Sequence, residues 1–429
     1  MLERYFGLSA HATDARTEVI AGITTFLTMA YILFVNPLIL ADAGMDRGAV
    51  FVATCVASAF GTLVMGLYAN YPIALAPGMA LNAFFAYTVV GSMGYSWPTA
   101  LGAVFLSGIL FTILSLVRVR EQVVRAIPVT LKRAISAGIG LFLGLIALQS
   151  AGLVVGDPTT LVKLGDLHRP EPLLAALGFV IIVALTHRGV MGAVILGIVV
   201  VALLGLPLGL TEFDGLVAWP PDPRPTFLAL DIGGALGVGF VTVIFTFLFV
   251  DLFDTTGTLV GVAHRAGMLD EDGNLPRLNR ALLADSTATV VGASLGTSTV
   301  TSYIESAAGT NVGGRTGLTA VVVAGLFLLS LFLAPLADMI PGYATAAALF
   351  FVACLMTRGL SELEWGDPTE YAPGVVAAIA MPLTYSIATG IGFGFIGYVA
   401  IKAVAGRWRD LRPATVAIAS LFVLKFMIA

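Results

Sequence analysis

Tyr71-Pro72-Ile73-Ala74-Leu75-Ala76-Pro77-Gly78-Met79-Ala80-Leu81-Asn82 and Gly296-Thr297-Ser298-Thr299-Val300-Thr301-Ser302-Tyr303-Ile304-Glu305-Ser306 are the two stretches on which the fold turns. Each lies in an apolar segment, and each carries a signal against continuous helix. Pro77-Gly78 breaks any helix through it. The hydroxyl-rich, β-branched run 296–302 favours extended backbone, with a helix predicted to start near Ser302. Setting Asn82 against Glu305 lays Ala74–Pro77 on Thr297–Val300. Irregular backbone at membrane depth is tolerated only where protein buries it or it lines a cavity. Paired interrupted segments are the best sequence pointer to a transport site. The alternative is a plain kink at Pro77 and an ordinary loop at 296–302; the paired reading is preferred.

The rest of the chain supplies the bilayer. Of 429 residues, 58% are hydrophobic and 11% charged, and the mean hydropathy is +0.97. A soluble domain carries about 25% charged residues, so a chain this apolar could not cover its own surface with polar groups. The net charge of −4 decides nothing. Cys55 and Cys354 both fall in apolar segments, which suits packing rather than a disulfide, and no Cys/His spacing suggests a metal. Residues 1–16 lack the pattern of a cleavable signal.

A spanning helix needs about 20 apolar residues. Such runs fall near 17–40, 48–68, 72–91, 99–117, 131–153, 171–186, 190–209, 232–263, 279–295, 299–313, 316–337, 341–357, 371–387 and 389–405, with a further run at 413–428 that either spans or lies on the surface. With the N-terminus in the cytoplasm, 17 of the 22 basic residues fall inside, among them Arg118, Arg120, Arg125, Lys132 and Arg133. Only Arg47, Lys163, Arg169 and Arg224 fall outside, and Lys425 lies in the last run. That bias is the expected cytoplasmic one and supports fourteen segments. The longer polar loops, 154–170 and 210–231, are external in this reading, and Asp270, Glu271 and Asp272 are internal.

The chain also repeats weakly. Ala184-Leu185-Thr186-His187-Arg188-Gly189-Val190-Met191-Gly192 and Pro382-Leu383-Thr384-Tyr385-Ser386-Ile387-Ala388-Thr389-Gly390 share Leu-Thr, a ring and a glycine at one spacing, in the sixth and thirteenth segments. Seven segments separate them, and an odd repeat length inverts one half against the other, as in secondary transporters.

Few acids lie inside the spans. Asp251 and Asp254 share one helical face at i, i+3, and Glu305 opens the tenth helix. An ionisable group in hydrocarbon costs a few kcal/mol and is a functional hypothesis by default. For Asp251 and Glu305 function is preferred; for Asp254, capping or pairing weighs about equally. Asp285 and Glu18 sit near cytoplasmic segment ends and are expected to snorkel or pair. The four histidines, His11, His168, His187 and His264, lie at segment ends and make poor proton relays. No basic residue lies deep in a span. Buried carboxylates suit a neutral substrate with N–H donors, a proton or a small cation, since a carboxylate in low dielectric can take up and release a proton. Thr24, Thr25, Phe26, Thr28 and Tyr31 line the first helix and read more naturally as packing. Asn36-Pro37 marks a kink or that helix's end. Gly390, Gly392, Gly394 and Gly397 suggest close helix contact.

Four blocks together carry a resemblance: Gly22-Ile23-Thr24-Thr25-Phe26-Leu27-Thr28-Met29-Ala30-Tyr31, Ala76–Phe85, Asp251-Leu252-Phe253-Asp254-Thr255-Thr256-Gly257-Thr258-Leu259 and Gly296–Ser306. From about residue 3 to residue 412 the chain resembles the AzgA-like purine permeases, a branch of the nucleobase–cation symporter-2 family. The resemblance implies an all-α polytopic membrane protein of about fourteen helices in two inverted repeats of seven, with short strands in the third and tenth segments. A core domain would comprise 1–130 and 232–340, and a gate domain 131–231 and 341–429. It implies proton symport of adenine, guanine and hypoxanthine across the cell membrane. Asn82, Asp251 and Glu305 match the family's purine contacts, with Thr25, Phe26, Ala80 and Ile304 beside them. Asp254 matches a position important for transport, and proton coupling or gating would fall to Asp254, Asp251 or Glu305. Uracil and xanthine branches commonly carry Glu and His four apart on the eighth helix, where this chain has Asp251 and Thr255; the proton carrier is therefore left open. No cofactor, metal or nucleic acid is implied, and a homodimer is compatible with the sequence.

The chemistry agrees with the resemblance. Carboxylates accept from ring N–H groups, and the Asn82 amide both donates and accepts. Phe26 or Phe249 would supply a flat wall. Sulfate-permease-type anion transporters share this architecture and are the main rival, but their sites would use helix N-termini without two membrane acids. An intramembrane aspartyl protease would need Gly-x-Gly-Asp, which is absent, and so is any nucleotide-binding Gly-x-x-x-x-Gly-Lys-Ser/Thr loop. Paired broken helices argue against a simple channel or structural protein.

Overall fold

The computed structural model describes residues 2–117, 128–211, 215–237, 241–270 and 275–428; Arg118, Arg120, Arg125, Glu271 and Asp272 lie outside the described residues. The protein is a predominantly helical, multi-pass membrane protein. Among the described residues nine helices are long and apolar enough to cross a bilayer, and the shorter apolar helices Met79–Ser92, Ala193–Leu208 and Pro413–Leu424 join them.

The first apolar run forms two helices, α1 (Ala15–Met29) and α2 (Ile32–Ala41). The break between them falls at Ala30-Tyr31. Asn36-Pro37 lies inside α2 and so does not end the helix. There Asn36 is buried and its Nδ2 donates to Thr54 Oγ1 (2.7 Å) and Thr297 Oγ1 (3.0 Å). α3 (Arg47–Val64) follows, then β1 (Leu75–Pro77), α4 (Met79–Ala83) and α5 (Trp97–Val117). Next come α6 (Val129–Ser150), the strands β2 (Val154–Asp157) and β3 (Leu161–Leu164), α7 (Pro170–His187) and α8 (Ala193–Gly205). The second half opens with α9 (Val241–Arg265), α10 (Leu278–Leu295), β4 (Val300–Ser302), α11 (Ser306–Asn311) and α12 (Gly317–Ser330). α13 (Gly342–Thr357), α14 (Pro368–Leu383), α15 (Ile387–Val404) and α16 (Pro413–Ile428) complete it.

Side-chain caps fix several helix starts. Asp14 accepts from Thr17 N–H, Asp46 from Ala49 N–H and Ser386 from Thr389 N–H, each satisfying an otherwise orphaned donor. Lipid gives helices no hydrophobic reason to associate, so close packing and small residues must do it. A methyl on Gly61 would lie 2.6 Å from Ala288 Cβ, and one on Gly390 2.3 Å from Met381 Cγ. α10 packs on both α3 and α5, α12 packs on α1 and α3, and α9 lies on α5. Separately, α6 packs on α13, α14 and α15, and α7 and α8 pack on α13.

The two Leu-Thr-ring stretches both occupy turns between antiparallel helices. Thr186 Oγ1 donates to Ile182 O and Thr384 Oγ1 to Ala380 O, each at 2.7 Å. The loop 154–170 contains the β2–β3 hairpin, which its polar composition did not announce.

Candidate functional site

Both interrupted stretches carry a strand, and the strands pair antiparallel: Leu75 faces Ser302, Ala76 faces Thr301 and Pro77 faces Val300. Two further bonds flank the pairing, from Gly78 N to Thr299 O and from Tyr303 N to Ala74 O, each 2.9 Å. The shift that carries Gly78 onto Tyr303 carries Ala74 onto Thr299, so the two strands are related by a local two-fold. Leu75–Pro77 therefore corresponds to Val300–Ser302, and not to the frame obtained by setting Asn82 against Glu305. Ser302 is the last strand residue, and the helix starts at Ser306 rather than near Ser302. A Cβ on Gly78 would come 2.6 Å from Thr301 Cγ2, so the close crossing needs glycine there.

β4 is the hub around which the polar side chains gather. Asn82 is fully buried on α4; its Oδ1 accepts from Ser298 Oγ, and its Nδ2 has no protein partner. Asp251 is buried on α9. Its Oδ2 accepts from Thr289 Oγ1 at 3.4 Å, while Oδ1 has no protein partner. Thr289 also donates to Val300 O (2.9 Å), and Thr255 and Thr301 share a hydroxyl bond of 2.8 Å. Glu305, just before α11, is half-buried and accepts from the Tyr31 hydroxyl at 2.6 Å. Tyr303 O–H donates to Pro77 O (2.5 Å), tying the two broken segments together. Asp254, one turn beyond Asp251, is half-buried.

Asp285 does not snorkel. It is fully buried on α10; Oδ1 accepts from Ser302 Oγ at 2.9 Å and Oδ2 has no protein partner. It lies within electrostatic reach of Asp251. The available signal was spacing: Asp285, Thr289 and Gly292 stand at i, i+4, i+7, a polar and small stripe on one helical face. Glu18 does not snorkel either. It is fully buried and caps α12, accepting from Arg315 N (2.8 Å), Thr316 N (3.2 Å), Thr319 N (3.1 Å) and Thr319 Oγ1 (2.6 Å). Four donors at one helix N-terminus, three of them backbone N–H groups, take the place of a cation.

The remaining expected residues are more dispersed. Thr25 is buried against α11, where a methyl on Gly309 would meet Thr25 Oγ1 at 2.1 Å. Phe26 packs edge-on to Phe327 (5.3 Å). Ala80 is buried on α4, whereas Ile304 is 49% exposed. Phe249 belongs to an aromatic column with Phe245, Phe253 and, 6.0 Å away, Phe395 of α15. Both cysteines are free.

Among the described residues no ion pair reaches Asp251, Asp285 or Glu305. Buried acids and an amide without counter-cations, gathered where two broken membrane segments cross, define a solute permease. The comparisons agree. Residues 16–393 match the Xan_ur_permease model, described as a permease family, and the chain belongs to that family, the nucleobase–cation symporter-2 family. It is 51% identical over 427 residues to the adenine permease AdeP of Escherichia coli (strain K12), covering 100% of this chain and 96% of AdeP. It is 46% identical to the guanine/hypoxanthine permease PbuO of Bacillus subtilis (strain 168), covering 99% of this chain and 100% of PbuO. Among solved structures, the transmembrane domain of the cyanobacterium bicarbonate transporter BicA superposes with a TM-score of 0.67 at 17% identity, covering 87% of this chain and 96% of that one. That last likeness is one of fold alone.

Proposed function

We propose that the protein imports purine nucleobases (adenine, guanine or hypoxanthine) by proton symport across the cell membrane, with its N-terminus in the cytoplasm. The observation that carries this reading is the acid–amide set around β4, on a chain about half identical to adenine and guanine/hypoxanthine permeases along its whole length. A purine presents ring N–H donors and ring nitrogen acceptors. Asp251 and Glu305 accept from the former, and the Asn82 amide serves the latter with Nδ2. Ala80 and Ile304 border the ring, Thr25 and Phe26 support α11 and α12 behind it, and Asp254 takes part in coupling or gating. Asp251 and Asp285 each keep one oxygen without a protein partner beside β4, so either is placed to take up the symported proton.

On this reading the fold is fourteen helices in two inverted repeats of seven. The core, 1–130 and 232–340, moves against the gate, 131–231 and 341–429. The separate packing of α6 with α13–α15 supports that division. The anion-transporter alternative loses ground because the site holds carboxylates and, among the described residues, no cation pairs with Asp251, Asp285 or Glu305.

The deciding experiment is uptake of radiolabelled adenine, guanine and hypoxanthine in proteoliposomes, with sulfate and bicarbonate as competitors. Concentrative purine uptake that collapses with a protonophore at constant sodium is expected. Undiminished uptake would remove the proton, and no purine uptake would remove the substrate class.

A further inference from the structure

At the end of the molecule that carries the β2–β3 hairpin, a crevice of about 260 Å³ separates the two packed groups of helices. One wall is α2, with Val35, Leu38, Ile39 and Asp42; the other is α13, with Gly342, Thr345, Ala346 and Leu349. Both sets run i, i+3 or i+4, i+7, so each wall is one helical face. Tyr87 and Ser150 complete the lining, and the Tyr87 hydroxyl donates to Asp42 Oδ2 at 2.7 Å. Among the described residues of this lining Asp42 is the one charged group.

The α2 face continues inward. One turn before Val35 it reaches Tyr31, whose hydroxyl holds Glu305 at 2.6 Å. Asp42 and Tyr31 thus mark two ends of one stripe, roughly 16 Å apart along the axis at 1.5 Å per residue. Each end has the same device, a tyrosine hydroxyl donating to a carboxylate that keeps lone pairs for another donor.

We propose that this crevice is an outer docking subsite for a flat heteroaromatic ring bearing N–H donors, held by Asp42 beside Tyr87 before it reaches the acids around β4. The inference rests on the nucleobase reading above. A lone carboxylate without a cation selects N–H donors over anions. On the α13 face Gly342, Thr345 and Ala346 put little side-chain bulk against the crevice, which leaves room for a flat ring.

The test uses the full chain in right-side-out vesicles with radiolabelled adenine, and hypoxanthine in parallel. Asp42→Asn is expected to raise the KM for uptake about five-fold or more, with kcat and the tight equilibrium Kd of purified protein within about two-fold. Tyr87→Phe is expected to give a smaller KM rise. Independently, Thr345→Cys in a Cys354→Ser background is labelled with an impermeant thiol reagent. Adenine should slow labelling even when Glu305→Gln has weakened the inner site. An unmoved KM, equal loss of tight binding, or labelling that adenine never slows would overturn the subsite. Wild-type protein that moves neither base would instead overturn the nucleobase reading, and this inference with it.

Discussion

Acids are treated in opposite ways in two regions of this protein. Where α14 and α15 meet the turn after α15, Glu370 and Asp410 both reach the buried Lys402, at 2.5 and 3.2 Å. Arg407 joins Asp410 at 2.8 Å and also bonds Asp367. Glu370 additionally accepts from Thr130 Oγ1 of α6 at 2.6 Å, so this network ties three helices together. Around β4, Asp251 and Asp285 are as deeply buried as Lys402 and have hydroxyls for company, but no ion pair among the described residues. A buried charge with its counter-charge is a structural element whose disruption destabilises. A buried acid left with an unpartnered oxygen is a liability unless something else binds it. The first arrangement holds helices together, and the second keeps acceptor capacity free for a ligand or a proton.

Removing the cation from the first region should give the largest effect. Lys402→Met strands Glu370 and is expected to cost about 3–5 kcal/mol of stability, the usual penalty for breaking one partner of a buried pair. Purine affinity per folded molecule should be retained. Chemical unfolding in mild detergent alongside calorimetric binding would measure both. A variant of wild-type stability would erase the distinction between the regions. Asp367, outside the helices, is pushed down to about 2 by the Thr369 hydroxyl first and the Arg407 guanidinium second. Its contribution is present above the ordinary carboxylate value of 3.8 and is lost only as pH falls toward 2, so this tether stays charged near neutral pH.

The second region should respond the other way round. Asp251→Asn removes an acceptor for a ligand N–H and is expected to weaken purine binding by about 1.5–3 kcal/mol, the range for hydrogen bonds to charged groups. Stability should hold or rise, because an unpaired buried acid has been neutralised. Loss of stability with retained affinity would place Asp251 among the structural acids. Glu305→Gln should fall in the same range, whereas Tyr31→Phe, which removes only the hydroxyl that aims Glu305, is expected to cost about 1 kcal/mol of affinity. If Tyr31→Phe costs as much as Glu305→Gln, the tyrosine itself touches the ligand.

How much of this could be read from sequence differs between the same two regions. Pro77-Gly78 and the β-branched run before Ser302 announced broken helices, because both features act on the local backbone, and each stretch indeed carries a strand. Asp251 and Glu305 stood out because nothing in a local apolar sequence excuses an acid. Asp285 and Glu18 were misjudged because depth was read from distance to a segment end. Asp285 is drawn in by Ser302 of a strand distant in sequence, and Glu18 by the start of α12. The α14–α15 network was equally hidden, since Lys402 sits in a last helical turn and its partners come from elsewhere in the chain. Local breaks are written locally, but which acid meets a cation is decided by packing.

The smallest expected effect on affinity divides the two aspartates of α9. Asp251 and Asp254 lie on one face, one turn apart, but their surroundings differ. Asp251 is 1% exposed and reaches β4 through Thr289, which also donates to Val300 O. Asp254 is half-buried, one turn nearer the end of α9 marked by His264, and Phe253 beside it carries Lys132 over its ring at 5.2 Å. Asp254 thus lies one turn farther along α9 than the aspartate that a hydroxyl ties to β4, within electrostatic reach of Glu305. Asp254→Asn should therefore change purine affinity by less than about 0.5 kcal/mol, as substitutions away from a binding contact usually do, while net uptake slows several-fold. The comparison needs hypoxanthine calorimetry and proteoliposome uptake on both variants under one set of conditions. Should Asp254→Asn abolish binding while Asp251→Asn retains it, the roles of the two aspartates are reversed.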